Sequence, residues 1–278
     1  AFIFTDDKSN VFIQQKLPDV QYILNATVSI KDDVAVLIAA ELEDITTENL
    51  NWDDKFHSRL DDTNFFSVQA QIATSVANSL KVAILENERS AISELPTANL
   101  KAYELYVAGQ QQLNLLTHSS VKRAITLFTQ SIAIDGGFID AHVAKADAHR
   151  ILMTYFENPA DTLTDVVSAV IEAQTIKPDS AEALSSLGLA YVFAWRWEDA
   201  WQMLSAARQM DPNLALTELG FALYYSGLGD KDGVIRSLEK ANQLDPLNVE
   251  IADWGHWALA MVGEVDRALE WSKSKIQL

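Results

Sequence analysis

Ile176-Lys177-Pro178-Asp179, Met210-Asp211-Pro212-Asn213 and Leu244-Asp245-Pro246-Leu247 decide how this chain is read, because their prolines stand 34 residues apart at each step. Proline cannot continue a helix, and it pushes the residue before it out of helical conformation. Each segment therefore ends a helix at a fixed interval. The residues between the prolines keep the same register. Leu187, Gly188, Tyr191, Ala200, Leu204 and Ala207 precede Pro212, and Phe221, Ala222, Tyr225, Val234, Leu238 and Ala241 hold the same places before Pro246. Small residues such as Gly188 and Ala200 let two helices cross closely, while bulky ones such as Leu187, Tyr191 and Leu204 fill the space around the crossing. Asp211 and Asn213, on either side of Pro212, are good turn and helix-start residues.

A helical pair recurring every 34 residues is the period of the tetratricopeptide repeat. The flanking units are more degenerate. Upstream, Ala124, Phe128 and Ser131 lead to Asp135-Gly136, with Gly136 in the place of the proline, and the first helix of that unit, Ala102 to Leu115, lies three residues further back than the period expects. The next unit runs from Phe138 to Met153 and from Val166 to Ile176, and its excess of about eight residues is expected as a long loop from Tyr155 to Thr164. A fifth unit begins with Ala252 to Met261 and places Ala268 where the second helix should cross, and the sequence ends inside that helix. The expectation is an α+β chain that is mostly α. A small α/β N-terminal domain over residues 1–95 precedes an α–α superhelix of about four and a half repeats over residues 96–278.

The N-terminal hundred residues have another texture. Tyr22 to Ile30 and Val34 to Glu43 alternate as strands around the turn Lys31-Asp32-Asp33, and Asn51 to Phe56 reads as a third strand. Asn10 to Leu17 reads as a short helix stopped by Pro18. Phe65, Val68, Ile72, Val76 and Leu80 place an apolar stripe on a helix over 65–85. Ser90 to Asn99 reads as the linker.

The stretch Val20 to Val28 resembles the "vryvleGsv" strand of the TolB-N-like (FlgO-related) domain. Glu41-Leu42 through Trp52-Asp53-Asp54-Lys55-Phe56 is similar to its "qLid…tg…lWaeryd" segment, and Phe65 to Ala73 to its "ifalQdeia" helix start. Ala102 to Gly109 resembles the "ayelYlrGr" opening of the repeats that follow this domain in bacterial CadC-type membrane regulators and in class III adenylate cyclases. Phe193 to Ala200 is similar to their "dWdWegAe" turn. The likeness departs where Asn25-Ala26 stands in place of an acidic residue and Gly, and where the first strand of that domain is missing. It implies a non-catalytic sensory or partner-binding part of a membrane-anchored signalling protein, on the periplasmic side of the inner membrane. The alternatives it leaves are the regulatory part of a cyclase and a cytoplasmic location. With Ala1 in place of an initiator Met, the sequence is expected to be a piece of a longer protein.

Charge narrows the partners. The net charge is −18, and it is spread along the chain, with 7 basic and 16 acidic side chains in the first hundred residues and 14 and 23 in the remainder. Nucleic-acid binding draws its affinity from neutralising phosphates, so no nucleic-acid partner is expected, and direct docking on anionic lipid is disfavoured too. Any membrane attachment would come from a segment outside this sequence. The chain has no cysteine, which removes disulfides, thiolate metal sites and thiol catalysis. No phosphate-binding glycine loop, nucleophile elbow or zinc or calcium signature is present, so neither enzyme activity nor a cofactor is expected.

The polar features have structural readings. His142 and His149 are about two helical turns apart, too far for direct chelation, and read as surface or packing side chains. The pairs Asp6-Asp7, Asp32-Asp33, Asp53-Asp54 and Asp61-Asp62 read as turn and solubility residues, since neighbours in a strand face opposite ways. Trp195, Trp197 and Trp201 read as packing aromatics.

Solenoids of this kind bind partners along the concave side, lined by the first helix of each repeat. The places two, five, nine and twelve of that helix nominate Asp140, Val143, Asp147 and Arg150 in the second unit. They add Glu182, Ser185, Leu189 and Val192 in the third, Leu216, Leu219, Leu223 and Ser226 in the fourth, and Glu250, Asp253 and Trp257 in the fifth. The groove is mixed apolar and acidic, and suits a protein or peptide with hydrophobic anchors and some positive charge. Oligomeric state is left open.

Overall fold

The structure is a computed structural model, and it describes residues 21–31, 35–45, 47, 49–59, 64–80 and 96–275. The expected helix at Asn10 to Leu17 and most of the linker at Ser90 to Asn99 lie outside these residues. The chain divides into two compact units, Phe2–Leu100 and Lys101–Leu278.

The first unit is an antiparallel meander. Strands β1 (Tyr22–Lys31), β2 (Ala35–Asp44) and β3 (Asn49–Arg59) pair in that order, with Tyr22 opposite Asp44, Ile38 opposite Phe56 and a bulge at Leu42/Glu43. Successive side chains in a strand face opposite ways, so Ile38, Ala40 and Leu42 share one buried face while Glu41 stays exposed. Helix α1 (Asn64–Ser79) covers that face, laying Val68 and Ile72 on Ile38, Ala40, Trp52 and Phe56.

The second unit is a stack of five helical hairpins. The first helices are α2 (Leu100–Asn114), α4 (Ile139–Tyr155), α6 (Ala181–Phe193), α8 (Ala215–Leu228) and α10 (Val249–Met261). Their partners are α3 (His118–Ile134), α5 (Pro159–Ile176), α7 (Trp197–Met210), α9 (Lys231–Leu244) and α11 (Val265–Lys275). Several of these helices start on a side-chain cap supplied by the turn chemistry. Thr117 caps α3 in a capping box with Ser120, Ser180 caps α6, Asp230 caps α9, and Asn248 accepts from two backbone N–H groups of α10. Asp211 accepts from the Asn213 N–H at 2.8 Å, which turns the chain around Pro212.

Close approach depends on glycine facing leucine. Leu204 of α7 has no exposed surface, and it sits between Gly188 of α6 and Gly220 of α8. A Cβ on Gly188 would lie 2.7 Å from Leu204 Cγ, and one on Gly220 would lie 2.5 Å from its Cδ2. Gly109 of α2 faces the ring of Phe128 of α3 in the same manner. The first helices pack on one another, α4 on α6, α6 on α8 and α8 on α10, whereas the second helices pack on their own partner and on the next first helix. The stack is therefore tighter along the first helices, and this side is the concave one.

The second hairpin corrects an expectation. Residues 155–164 do not form a long loop. Helix α4 continues to Tyr155 and α5 begins at Pro159, so each is longer than its counterpart in the third hairpin: 17 and 18 residues against 13 and 14. Asn158 accepts from the Ala160 N–H and Pro159 holds the first helical position, which together start α5 early.

The left-handed residues report the period independently. Trp195, Gly229 and Gly263 have φ of 59°, 73° and 82° and stand 34 residues apart. Leu116, with φ 45°, holds the same place in the first hairpin once its three-residue offset is applied. Trp195 thus occupies a glycine position, and its side chain is 77% exposed rather than packed. Trp197 alone of the three tryptophans is the interior one, lying against Gly227 of α8. Left-handed backbone costs a non-glycine residue roughly 1–2 kcal/mol, and glycine's extra freedom in the unfolded chain returns part of that. We therefore expect Trp195→Gly to stabilise the array by about 0.5–1 kcal/mol in urea unfolding. A loss of stability would show that the exposed indole carries contacts worth more than the strain.

Candidate functional site

The concave side holds a cavity of about 330 Å³. Its lining includes Tyr106 and Gln110 from α2, Ile139, Asp140, Val143 and Asp147 from α4, Glu182 and Ser185 from α6, and Leu216 from α8. Lys177 and Leu214 come from the turns between hairpins. Of the groove residues expected from sequence, six meet here: Asp140, Val143, Asp147, Glu182, Ser185 and Leu216. Sequence reasoning misses Tyr106 and Gln110, because it counts groove places only from the second unit onward. The three-residue offset of the first unit makes Ala102 the first place of that repeat, so they hold its fifth and ninth places, groove places in the other units. Lys177 and Leu214 have no such signal, since counting along helices passes over the turns.

The cavity is acidic. Three carboxylates face one ammonium, and the pKa directions record the crowding. The Asp140 carboxyl is raised by its partial withdrawal from water and then by Glu182, and the Tyr106 hydroxyl is raised by burial and then by Asp140. Burial also raises Asp147, against the opposing pull of Arg150. Ser185 is buried and accepts a hydrogen bond of 3.0 Å from the Thr217 hydroxyl, which ties α6 to α8 at the cavity floor.

Arg150 does something the sequence does not announce. Its guanidinium crosses the groove to α10 and donates from Nη1 and Nη2 to Glu250 Oε2 and Oε1 at 2.6 and 2.8 Å, between residues 100 apart in sequence. Nε lies 3.5 Å from Asp147 Oδ1. The Arg150 side chain is 1% exposed. Burial alone would make it easier to deprotonate, but the Glu250 carboxylate outweighs this and raises the pKa, so the guanidinium stays charged. Beside the pair, Trp254 of α10 lies tilted against Tyr155 at 5.3 Å and meets Phe193 edge-on at 4.6 Å between ring centroids. Burial, then Glu250 and Asp253, raise the Tyr155 hydroxyl. The aromatic triplet and the ion pair close the concave side beyond the cavity.

The remaining groove nominations fall elsewhere. Leu189, Val192, Leu219 and Leu223 are buried in the apolar core between α6, α8 and α10. They hold helix to helix and offer no surface to a partner, because tight stacking of first helices turns the middle of each inward. Ser226 is buried and donates to the Leu223 carbonyl. Asp253 and Trp257 are exposed on α10, and Trp257 touches Trp254 edge-on. His142 is buried with Nε2 donating to the Gly136 carbonyl at 3.0 Å, and burial lowers the half-buried His149. Among the described residues, no group of three His, Asp or Glu side chains is placed to hold a metal ion, and no helix is long and apolar enough to cross a membrane.

No family profile matches the chain, and no curated protein matches it either. Solved structures do. TTC0263, a thermophilic TPR protein of Thermus thermophilus, is 21% identical with a TM-score of 0.51, over 63% of this chain and 91% of that one. PilF of Pseudomonas aeruginosa is 20% identical with a TM-score of 0.44, over 63% and 77%. MamA is 17% identical with a TM-score of 0.38, over 64% and 91%. The first of these establishes the fold of the helical unit as a tetratricopeptide array.

Two outcomes test the site's energetics. Removing one partner of a buried pair strands the other charge and costs about 3–5 kcal/mol. Glu250→Gln should therefore destabilise by about 3 kcal/mol, while Arg150→Met with Glu250→Leu should recover most of that. Equal or additive losses in the double variant would contradict this view. For Asp147, the folded pKa lies above the ordinary carboxylate value, so between the two the folded state binds the extra proton. Stability from this group is thus full at acid pH and falls as pH rises through the raised value. Denaturation of wild type and Asp147→Asn across pH 3 to 7 should show wild type losing ground to the variant as pH increases.

Proposed function

We propose that this chain is a protein-binding region whose concave cavity receives a peptide segment carrying a basic side chain next to an aliphatic one. One observation carries the reading. In a single cavity, Asp140, Asp147 and Glu182 stand beside Ile139, Val143, Leu214 and Leu216. A carboxylate cluster of this kind attracts a cation, and the apolar wall takes the flanking side chain or the methylene stem of a lysine. Helical repeat arrays use such surfaces for extended or helical segments.

The wider setting we propose is the sensory, periplasmic part of a bacterial membrane-anchored regulator, in which the sheet unit docks or senses and the array binds its partner. The likeness of Val20 to Val28, Trp52 to Phe56 and Phe65 to Ala73 to the TolB-N-like domain supports it. Coding sequence upstream of Ala1 that specifies a winged helix followed by a transmembrane helix would bear this out, and a cyclase domain in that place would overturn it.

The groove reading is tested with a displayed random-peptide library panned on the chain. Enriched peptides should carry Lys or Arg beside Leu, Ile or Val. Asp140→Asn combined with Glu182→Gln should weaken their binding roughly tenfold in fluorescence anisotropy and flatten its salt dependence. Enrichment of acidic peptides, or affinity indifferent to both substitutions, would sink the proposal.

A further inference from the structure

Residues of α7, α8 and α9 line a second cleft, of about 200 Å³: Arg208, Glu218, Tyr225, Arg236, Ser237 and Lys240. Its charge runs against the rest of the molecule. Three cations meet there in a chain of net charge −18, and Glu218 is the one carboxylate in the lining among the described residues. Glu218 is 2% exposed and both its oxygens are engaged, Oε2 by Arg208 Nη2 at 2.6 Å and Oε1 by Lys240 Nζ at 2.8 Å. A buried carboxylate with one cation would be neutral. Here it holds two, and Arg236 adds a third that has no ion-pair partner among the described residues.

Two of the three cations, Arg208 and Lys240, are also held in place. The Arg208 guanidinium lies 3.5 Å over the Phe221 ring, which fixes its plane, and its Nε is buried without a hydrogen-bond partner. Glu218 takes one nitrogen from Arg208 and one from Lys240, whereas a guanidinium has five N–H donors and an ammonium three. Both side chains line the cleft and remain about a third or more exposed, so unused donors other than the buried Arg208 Nε are available to a ligand. Arg236 and Lys240 lie one helical turn apart on the same face of α9, and Ser237 also lines the cleft.

We propose that this cleft is a binding site for a phosphoryl dianion, either free phosphate or the phosphate of a modified side chain. The site's excess of two positive charges matches a dianion. Guanidinium forks and an ammonium are the donors that recognise tetrahedral oxyanions. The volume of about 200 Å³ is ample for one phosphoryl group. The site shares no lining residue with the groove cavity.

The test uses isothermal titration calorimetry on the whole chain, with inorganic phosphate or O-phosphoserine at ionic strength matched by chloride. One equivalent should bind saturably, and Arg236→Ala should weaken it about tenfold, the loss of one charge-assisted contact. Arg236 makes no contact with Glu218, so the variant should keep the wild-type unfolding midpoint. Lys101→Ala, a surface cation elsewhere in the array, should bind as wild type does. Tighter phosphate than phosphoserine assigns the site to the free ion, and the reverse assigns it to a modified side chain; either supports the proposal. Absence of saturable heat, or equal effects of Arg236→Ala and Lys101→Ala, overturns it.

Discussion

Helices can stack edge to edge only if something at the crossing lets their backbones approach, and in this array that something is a leucine seated against glycine. Leu204 has no exposed surface and lies between Gly188 and Gly220, so the same side chain fastens α7 to its own partner and to the next hairpin. The interior of a protein is as dense as an organic crystal, and a methyl group added at either glycine has nowhere to go. Spacing along the first helices is set by these contacts. Concavity, the cavity and the second cleft all follow from it.

Stacking alone would leave the concave side open along its length. The Arg150–Glu250 pair changes that by joining the second hairpin to the fifth across two intervening ones. Such a pair contributes little net stability, because desolvating both charges offsets most of their attraction. Its effect is on shape. The usable part of the groove is confined to the end where Asp140, Glu182 and Tyr106 gather, and acidity concentrates there because Arg150 commits both Nη groups to Glu250 and meets Asp147 only through Nε at 3.5 Å.

Much of this is legible in the sequence. Proline spacing locates the array, alternation locates the three strands within a few residues of their ends, and helix places locate six of the cavity's lining residues. What escapes follows a pattern. Leu189, Val192, Leu219 and Leu223 count as groove residues by position, because counting along a helix gives direction but not depth, and depth depends on how closely the neighbouring helix stands. Tyr106 and Gln110 are within reach, since the offset that locates them is written in the sequence. Lys177 and Leu214 come from turns, whose side chains follow no period. The ion pair joins residues 100 apart, and nothing local in either marks the other as its partner.

The lengthened hairpin carries a consequence in angular terms. Relative to the third hairpin, α4 and α5 each gain four residues, close to one helical turn of 3.6. An added turn lengthens a helix while rotating its far end by only about 40° from where it began, so the faces stay nearly in phase. Growth of two or six residues would swing Tyr155 to the opposite side of α4, away from Trp254. At this place in the fold, length is therefore quantised: the repeat can grow by whole turns, and each turn projects new side chains over the groove without disturbing the stack beneath.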